Sequence, residues 1–171
     1  MNQKIQSRQI QIDPAELLAM RYEDQVGVRI FDLRSESDFN LFHLTDAQRV
    51  SLEQISEPAW AKNLSAKQVI VLVSNDEEQA TQAWKLLSTQ KVANLYVLAG
   101  GINAWFERYA KPDQKKPITN CKNDQLGFRL PSALGSRHPA ADPEPSHGPP
   151  EKFEKKVKSL GGGKRKAGGC G

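Results

Sequence analysis

A chain of 171 residues that is 38% hydrophobic has room for one ordinary domain and a long appendage. Its longest apolar stretch, around Val69 to Val73, is far too short to cross a bilayer, and the polar start, Met1 to Ser7, lacks the apolar core of a secretory leader, so the cytoplasm is the expected compartment. The net charge of +4 is uneven: residues 1–110 hold 11 basic and 14 acidic residues (−3), and residues 111–171 hold 13 and 6 (+7), so the basic pI belongs to the tail and argues nothing about nucleic acid by itself.

In chain order, Gln9 to Ile12 reads as a brief strand, and Asp13 followed by Pro14 opens a helix carrying Leu17, Leu18 and Met20. Val26 to Leu33 reads as a buried strand, and Ser35 caps a short helix around Glu36 to Asn40. Val50 falls in a third strand, Ser51 starts a helical piece, and another spans about Glu57 to Asn63. Gln68 to Val73 is the clearest strand, expected at the sheet centre with both faces covered. Glu77 to Ser88 is the clearest helix, with Ala80, Ala83, Trp84 and Leu87 on one face. Leu95 to Leu98 is the next strand, Gly100 and Gly101 turn the chain, and Ile102 to Tyr109 closes with a helix. Strands alternating with helices predict an α/β domain over residues 1–110 built on a mostly parallel five-stranded sheet with right-handed crossovers.

Past Tyr109 the composition changes. Residues 111–171 contain most of the prolines and glycines and read as a Pro/Gly-rich basic tail, largely disordered or draped on the domain and ending Gly-Gly-Cys-Gly. Lys152 to Leu160 could form a transient helix with Phe153, Val157 and Leu160 on one side. The tail has only Phe128 and Phe153 as aromatics, so specific nucleic-acid binding is not expected.

Two segments carry a resemblance. Residues 30–50, IFDLRSESDFNLFHLTDAQRV, place Asp32 and Arg34 after a buried strand, then Glu36, Phe39, His43 and Ala47. Residues 95–105, LYVLAGGINAW, join a strand to Gly100, Gly101 and Trp105. Together they resemble the two signatures of the rhodanese-like domain family, in order and spacing, over about 100 residues. Phe42 and Asp46 stand where the family usually has glycines. The resemblance implies a rhodanese-like three-layer fold in which His43 is structural; Asp32 and Arg34 read as a buried or edge ion pair that fixes the loop after the strand.

The resemblance also locates an active-site loop. Active rhodaneses place a sulfur-carrying Cys after the central strand, opening a six-residue loop into a helix. Here that loop is Ser74, Asn75, Asp76, Glu77, Glu78 and Gln79, with Ser74 at the Cys position. The chemistry needs a thiolate cradled by backbone N–H groups at a helix N-terminus. A serine hydroxyl cannot carry sulfane sulfur and stays protonated without a base. Asp76, Glu77 and Glu78 suit the first turn of a helix and would repel an anionic donor. The expected function is therefore a catalytically inactive rhodanese-like domain acting as a binding or regulatory module. The expected partner is another protein or a sulfur-relay component, with no cofactor and no membrane span.

The alternative is a sulfur carrier. Cys170 lies among glycines close to Lys164, Arg165 and Lys166, which would lower a thiol pKa. A flexible tail of about 60 residues spans roughly 40 Å r.m.s., enough to bring Cys170 to the Ser74 loop, and its charge should be drawn to the acids there. Cys121 reads as a surface thiol, and the two cysteines make no disulfide framework. The spacings of Cys121, His138, His147 and Cys170 are unlike compact zinc motifs, so no metal is expected.

Overall fold

The computed structural model describes residues 1–22, 27–62, 64, 67–111, 116–130 and 152–157. A short helix α1 (Asn2–Gln6) precedes strand β1 (Gln11–Ile12) and helix α2 (Pro14–Tyr22), whose start is capped by Asp13 Oδ1 accepting from the Ala15 N–H. Strand β2 (Val28–Asp32), helix α3 (Glu36–Leu41), strand β3 (Gln48–Arg49) and helices α4 (Leu52–Ser56) and α5 (Pro58–Ala61) follow. Then come β4 (Val69–Val73), α6 (Glu78–Thr89), β5 (Leu95–Leu98) and α7 (Gly101–Tyr109).

The five strands form one sheet in the order β1-β5-β4-β2-β3, every neighbouring pair parallel. β4 is central and fully buried, as its unbroken aliphatic run requires. Its side chains divide by parity. Val69, Val71 and Val73 join a core with Leu17, Met20, Trp105 and Phe106 on the face covered by α2 and α7. Ile70 and Leu72 join Ile55, Ala83, Trp84 and Leu87 on the face covered by α4 and α6. Each fully buried aliphatic side chain contributes about 1.5–3 kcal/mol of transfer free energy. The α6 face expected from spacing is the buried one, and the Trp84 indole N–H is satisfied by the Leu95 carbonyl at 2.9 Å.

Several boundaries differ from the sequence reading. β1 and β2 are shorter, Val50 lies just beyond β3, and the final helix begins at Gly101. Helix α1 and an antiparallel hairpin, β6 (Lys116–Pro117) with β7 (Phe128–Arg129), were not anticipated. Leu126, Phe128 and Leu130 of the hairpin arm pack on the α7 side of the core, with the Phe128 and Phe106 rings 5.7 Å apart. Their alternation is the period-two signal of a half-buried strand. Residues 152–157 are not helical. The N–H groups of Lys156 and Val157 both donate to Glu16 Oε1 at 2.7 Å instead of to carbonyls of their own segment, and Val157 is buried.

Candidate functional site

The loop between β4 and α6 lies at the C-terminal end of the central strand, where open parallel sheets place their sites. Ser74 and Asn75 are buried. The loop is held from four sides. From α7, the Ile102 N–H donates to the Ser74 carbonyl and the Asn103 N–H to the Asn75 carbonyl, both at 2.9 Å. From α3, Asp38 accepts the Asn75 side-chain amide at 2.9 Å. From the N-terminus, Arg8 grips both Glu77 oxygens at 2.7 and 3.1 Å. From the hairpin, hereafter the strap (residues 116–130), comes Asp124.

Asp124 occupies the centre of the loop. Its Oδ1 accepts from the N–H groups of Asn75 (2.9 Å) and Asp76 (3.3 Å), and its Oδ2 from that of Gln79 (2.6 Å). In return the Asp124 N–H donates to Asp76 Oδ2 at 2.7 Å, and the Asn75 amide donates to the Asp124 carbonyl at 3.0 Å. Asn103 fastens the next residues, donating to the Gln125 carbonyl and accepting from the Gly127 N–H. The open N–H groups that start α6 are thereby shared out: Glu78 to Asp76, Gln79 to Asp124, and Ala80 to Ser74 Oγ at 3.2 Å.

Ser74 directly follows β4, and its Oγ accepts from the Ala80 N–H at the helix start. The acids depart from expectation. Glu77 does not face the loop interior as a free charge, because Arg8, the Gly100 N–H at 2.7 Å and the Gln11 amide take its carboxylate. Glu78 is exposed. Burial alone would raise the Asp76 carboxyl, but N–H donors from Glu78, Asp124 and Glu77 leave it below its ordinary value. For Asp124, burial pushes the carboxyl up, and the Asp76 charge adds to the push against the N–H groups. Within the described residues, the tail reaches the loop through an acid rather than through its basic side chains. Lys156 instead donates to the Arg8 and Gln11 carbonyls at 2.7 and 3.0 Å.

Of the motif residues, Gly100 and Gly101 border this loop. Asp32 and Arg34 form a buried bidentate pair at 2.7–3.1 Å, and Arg34 also donates to the Phe42 carbonyl. His43 stacks on Phe39 at 4.0 Å, its Nδ1 bonded to the Phe39 carbonyl. Glu36 sits exposed in the first turn of α3. Trp105 is fully buried. The two departures from the signature have distinct causes. Phe42 is extended, so no glycine is needed, and its ring packs 4.3 Å from that of Phe106. Asp46 keeps the left-handed backbone (φ 64°) that glycine would supply, a conformation Asp tolerates. Gly100 and Gly101 have φ of 64° and 60°. A Cβ on Gly101 would lie 2.1 Å from the Asp76 carbonyl and 2.4 Å from that of Ser74. Only a residue without a side chain lets α7 come that close to the loop.

Cys121, on the strap, is exposed and lines a groove of about 580 Å³ with Asp38, Leu41, Leu126 and Phe128. Cys170, His138 and His147 lie outside the described residues. Among the described residues no cluster of His, Cys, Asp or Glu is arranged to hold a metal ion, and no helix is long and apolar enough to cross a membrane. Sequence reasoning missed Arg8, Asp124 and the Glu16 contact. The polar cluster Asn123-Asp124-Gln125 signals a turn, but nothing in it names the loop it enters.

Three comparisons bear on this geometry. The family model described as the rhodanese-like domain matches residues 13–108. A protein named thiosulfate sulfurtransferase GlpE, from Pseudomonas fluorescens, is 28% identical over 98 residues, covering 57% of this chain and 85% of its own. Crystal structures of a Bacillus halodurans protein (20% identity, TM-score 0.53, 62% of this chain and 77% of that one) and of a Lactobacillus plantarum protein (16%, 0.52, 63% and 93%) share the fold.

Proposed function

The chain belongs to the rhodanese-like domain family, and we propose that it is a non-catalytic member, a binding or regulatory module that engages a protein partner in the cytoplasm and does not transfer sulfur from thiosulfate. One observation carries this reading: the residue that opens the loop after β4 is Ser74, buried, with its Oγ spent on the Ala80 N–H. A hydroxyl there cannot hold sulfane sulfur, and among the described residues no base stands among its hydrogen-bond partners to activate it. The neighbouring N–H groups, which would stabilise a thiolate or an incoming anion, are taken by Asp124. The test is turnover. Purified full-length protein with thiosulfate and cyanide should form thiocyanate no faster than buffer; formation above that background refutes the reading.

A second reading, persulfide carriage on a thiol outside the loop, is favoured by one feature: the strap that fills the loop also carries the exposed Cys121. Cys170, outside the described residues, is the alternative thiol that the sequence offers. Sulfur loading that survives Cys121→Ser but is lost in Cys170→Ser would single out the terminal thiol. Loading that survives in both variants would sink this reading.

A further inference from the structure

Glu16 is an acid in a costly place. It precedes the core residue Leu17 on α2 and is only 1% exposed. A carboxylate buried there is unfavourable unless donors reach it. Among the described residues its hydrogen-bond partners are two main-chain N–H groups, those of Lys156 and Val157, 140 and 141 residues further along the chain and both 2.7 Å from Oε1. Its Oε2 is buried and has no partner among the described residues.

The distant segment is recognised through these two consecutive residues. Besides the two N–H groups, the Lys156 ammonium donates to the Arg8 and Gln11 carbonyls at 2.7 and 3.0 Å. The Val157 side chain, 4% exposed, joins the core cluster of Ile12, Leu17, Met20 and Leu98. The Gln11 carbonyl is open to this contact because β1 is an edge strand. The Ile10 and Ile12 carbonyls accept from the N–H groups of Val97 and Ala99, and the carbonyl between them faces away from the sheet. Carbonyls for a cation, a buried carboxylate for main-chain N–H groups and an apolar seat together suit an extended peptide in which Lys precedes a small branched aliphatic residue. Arg8 and Gln11 also hold Glu77 of the Ser74 loop with their side chains, so cleft and loop meet at these two residues.

We propose that this cleft beside β1 and α2 is a peptide-docking site, that Lys156 and Val157 are its intramolecular ligand, and that a partner protein binds by presenting its own Lys-Val or Lys-Ile pair in an extended segment and displacing them. This names the chemistry of the partner and rests on the reading of the domain as a module that engages a protein. The resident pair is tethered to the strap through residues 131–151, so it competes at high effective concentration. An identical pair on a second copy gains nothing over it. A partner gains when it also brings a donor to Glu16 Oε2, which the resident pair leaves unused. If the resident pair is seated nine times in ten or more, an external peptide binds at least about tenfold more weakly than it binds the vacated cleft.

The probe is the peptide Lys-Phe-Glu-Lys-Lys-Val, the sequence of residues 152–157, blocked at both ends. It is titrated into the full-length wild type, Val157→Asp and Lys156→Ala, following the Gln11 and Glu16 amide resonances by NMR. A control peptide carries Asp in place of the valine. In Val157→Asp the probe should shift both amides saturably, at least about tenfold more tightly than in wild type, and the control should not. Lys156→Ala leaves the apolar seat intact and serves if the aspartate disturbs the fold; it should also bind the probe more tightly than wild type. Adding Glu16→Ala to either variant should abolish the binding. Equal affinity in all three proteins overturns the proposal, as does saturation by the control peptide, or the absence of saturable shifts in both variants while the β4 amides stay dispersed. A wild-type dimer in sedimentation that is lost in Lys156→Ala would place a second copy's segment in the cleft and overturn the intramolecular seat. Absent peptide binding with no thiocyanate formed would overturn this inference alone, whereas thiocyanate formation with peptide binding intact would refute only the non-catalytic reading.

Discussion

Replacing Gly101 by Ala should damage the protein far more than one methyl group suggests. The new Cβ would lie 2.1 Å from the Asp76 carbonyl oxygen, 2.4 Å from that of Ser74 and 2.8 Å from the Asn75 carbonyl carbon, all of them backbone atoms. No side chain can swing aside to relieve this. The residue also has φ of 60°, a region that costs a residue with a Cβ about 1–2 kcal/mol. For relief, the start of α7 must back away from the loop and give up the bonds from Ile102 and Asn103 to the Ser74 and Asn75 carbonyls. Each buried group left unpaired costs about 1–3 kcal/mol. The combined loss is at least about 3 kcal/mol, a large part of the roughly 5–15 kcal/mol that holds a domain together. Urea unfolding followed by tryptophan fluorescence measures it. Gly27→Ala is the control, since its Cβ would meet nothing nearer than Gln68 Cγ at 3.6 Å, and it should stay within about 0.5 kcal/mol of wild type. A loss below about 1 kcal/mol for Gly101→Ala would refute the claim that close approach at this glycine builds the loop.

Arg34→Met leaves the buried Asp32 carboxylate without its partner, so urea unfolding should show a loss of about 3–5 kcal/mol. Glu16→Gln removes the charge that holds the Lys156 and Val157 N–H groups, and hydrogen exchange at those two amides should accelerate while the amides of β4 keep their protection. Asp76→Asn tests the pH dependence. Because the folded Asp76 carboxyl lies below its ordinary value of 3.8, its ionised form stabilises the fold above that pH, and the contribution is lost as pH falls through the folded value. The stability gap between wild type and Asp76→Asn should therefore be full above about pH 4 and close in stronger acid; a gap that widens in acid would contradict the assignment.

What the sequence made legible is what hydrophobic pattern and glycine encode. The aliphatic run at β4 announces a central parallel strand, and Ala80, Ala83, Trp84 and Leu87 announce the buried face of α6. Asp32, Arg34, Gly100, Gly101 and Trp105 mark the family, and Gly100 and Gly101 border the loop after β4. Ser74 opens the loop directly after β4. The contacts that close the loop were not legible, because they are polar, long-range and run against simple electrostatics. A count of charges reads Asp76, Glu77 and Glu78 as a repulsive patch and the tail as basic. The structure pairs Glu77 with Arg8 and admits Asp124, since aimed N–H dipoles at short range outweigh diffuse repulsion. Asp46 shows a similar limit: it stands where the family usually has glycine, yet the backbone keeps its left-handed turn.

The most direct test of the account is a map of where sulfur goes. The full-length protein is incubated with thiosulfate and, separately, with a cysteine desulfurase and cysteine, and persulfide is sought by mass spectrometry. The account predicts no persulfide from thiosulfate on Cys121 or Cys170, and an unmodified Ser74 loop in both reactions. Persulfide formed from thiosulfate on either thiol would contradict it and make this domain a sulfur carrier.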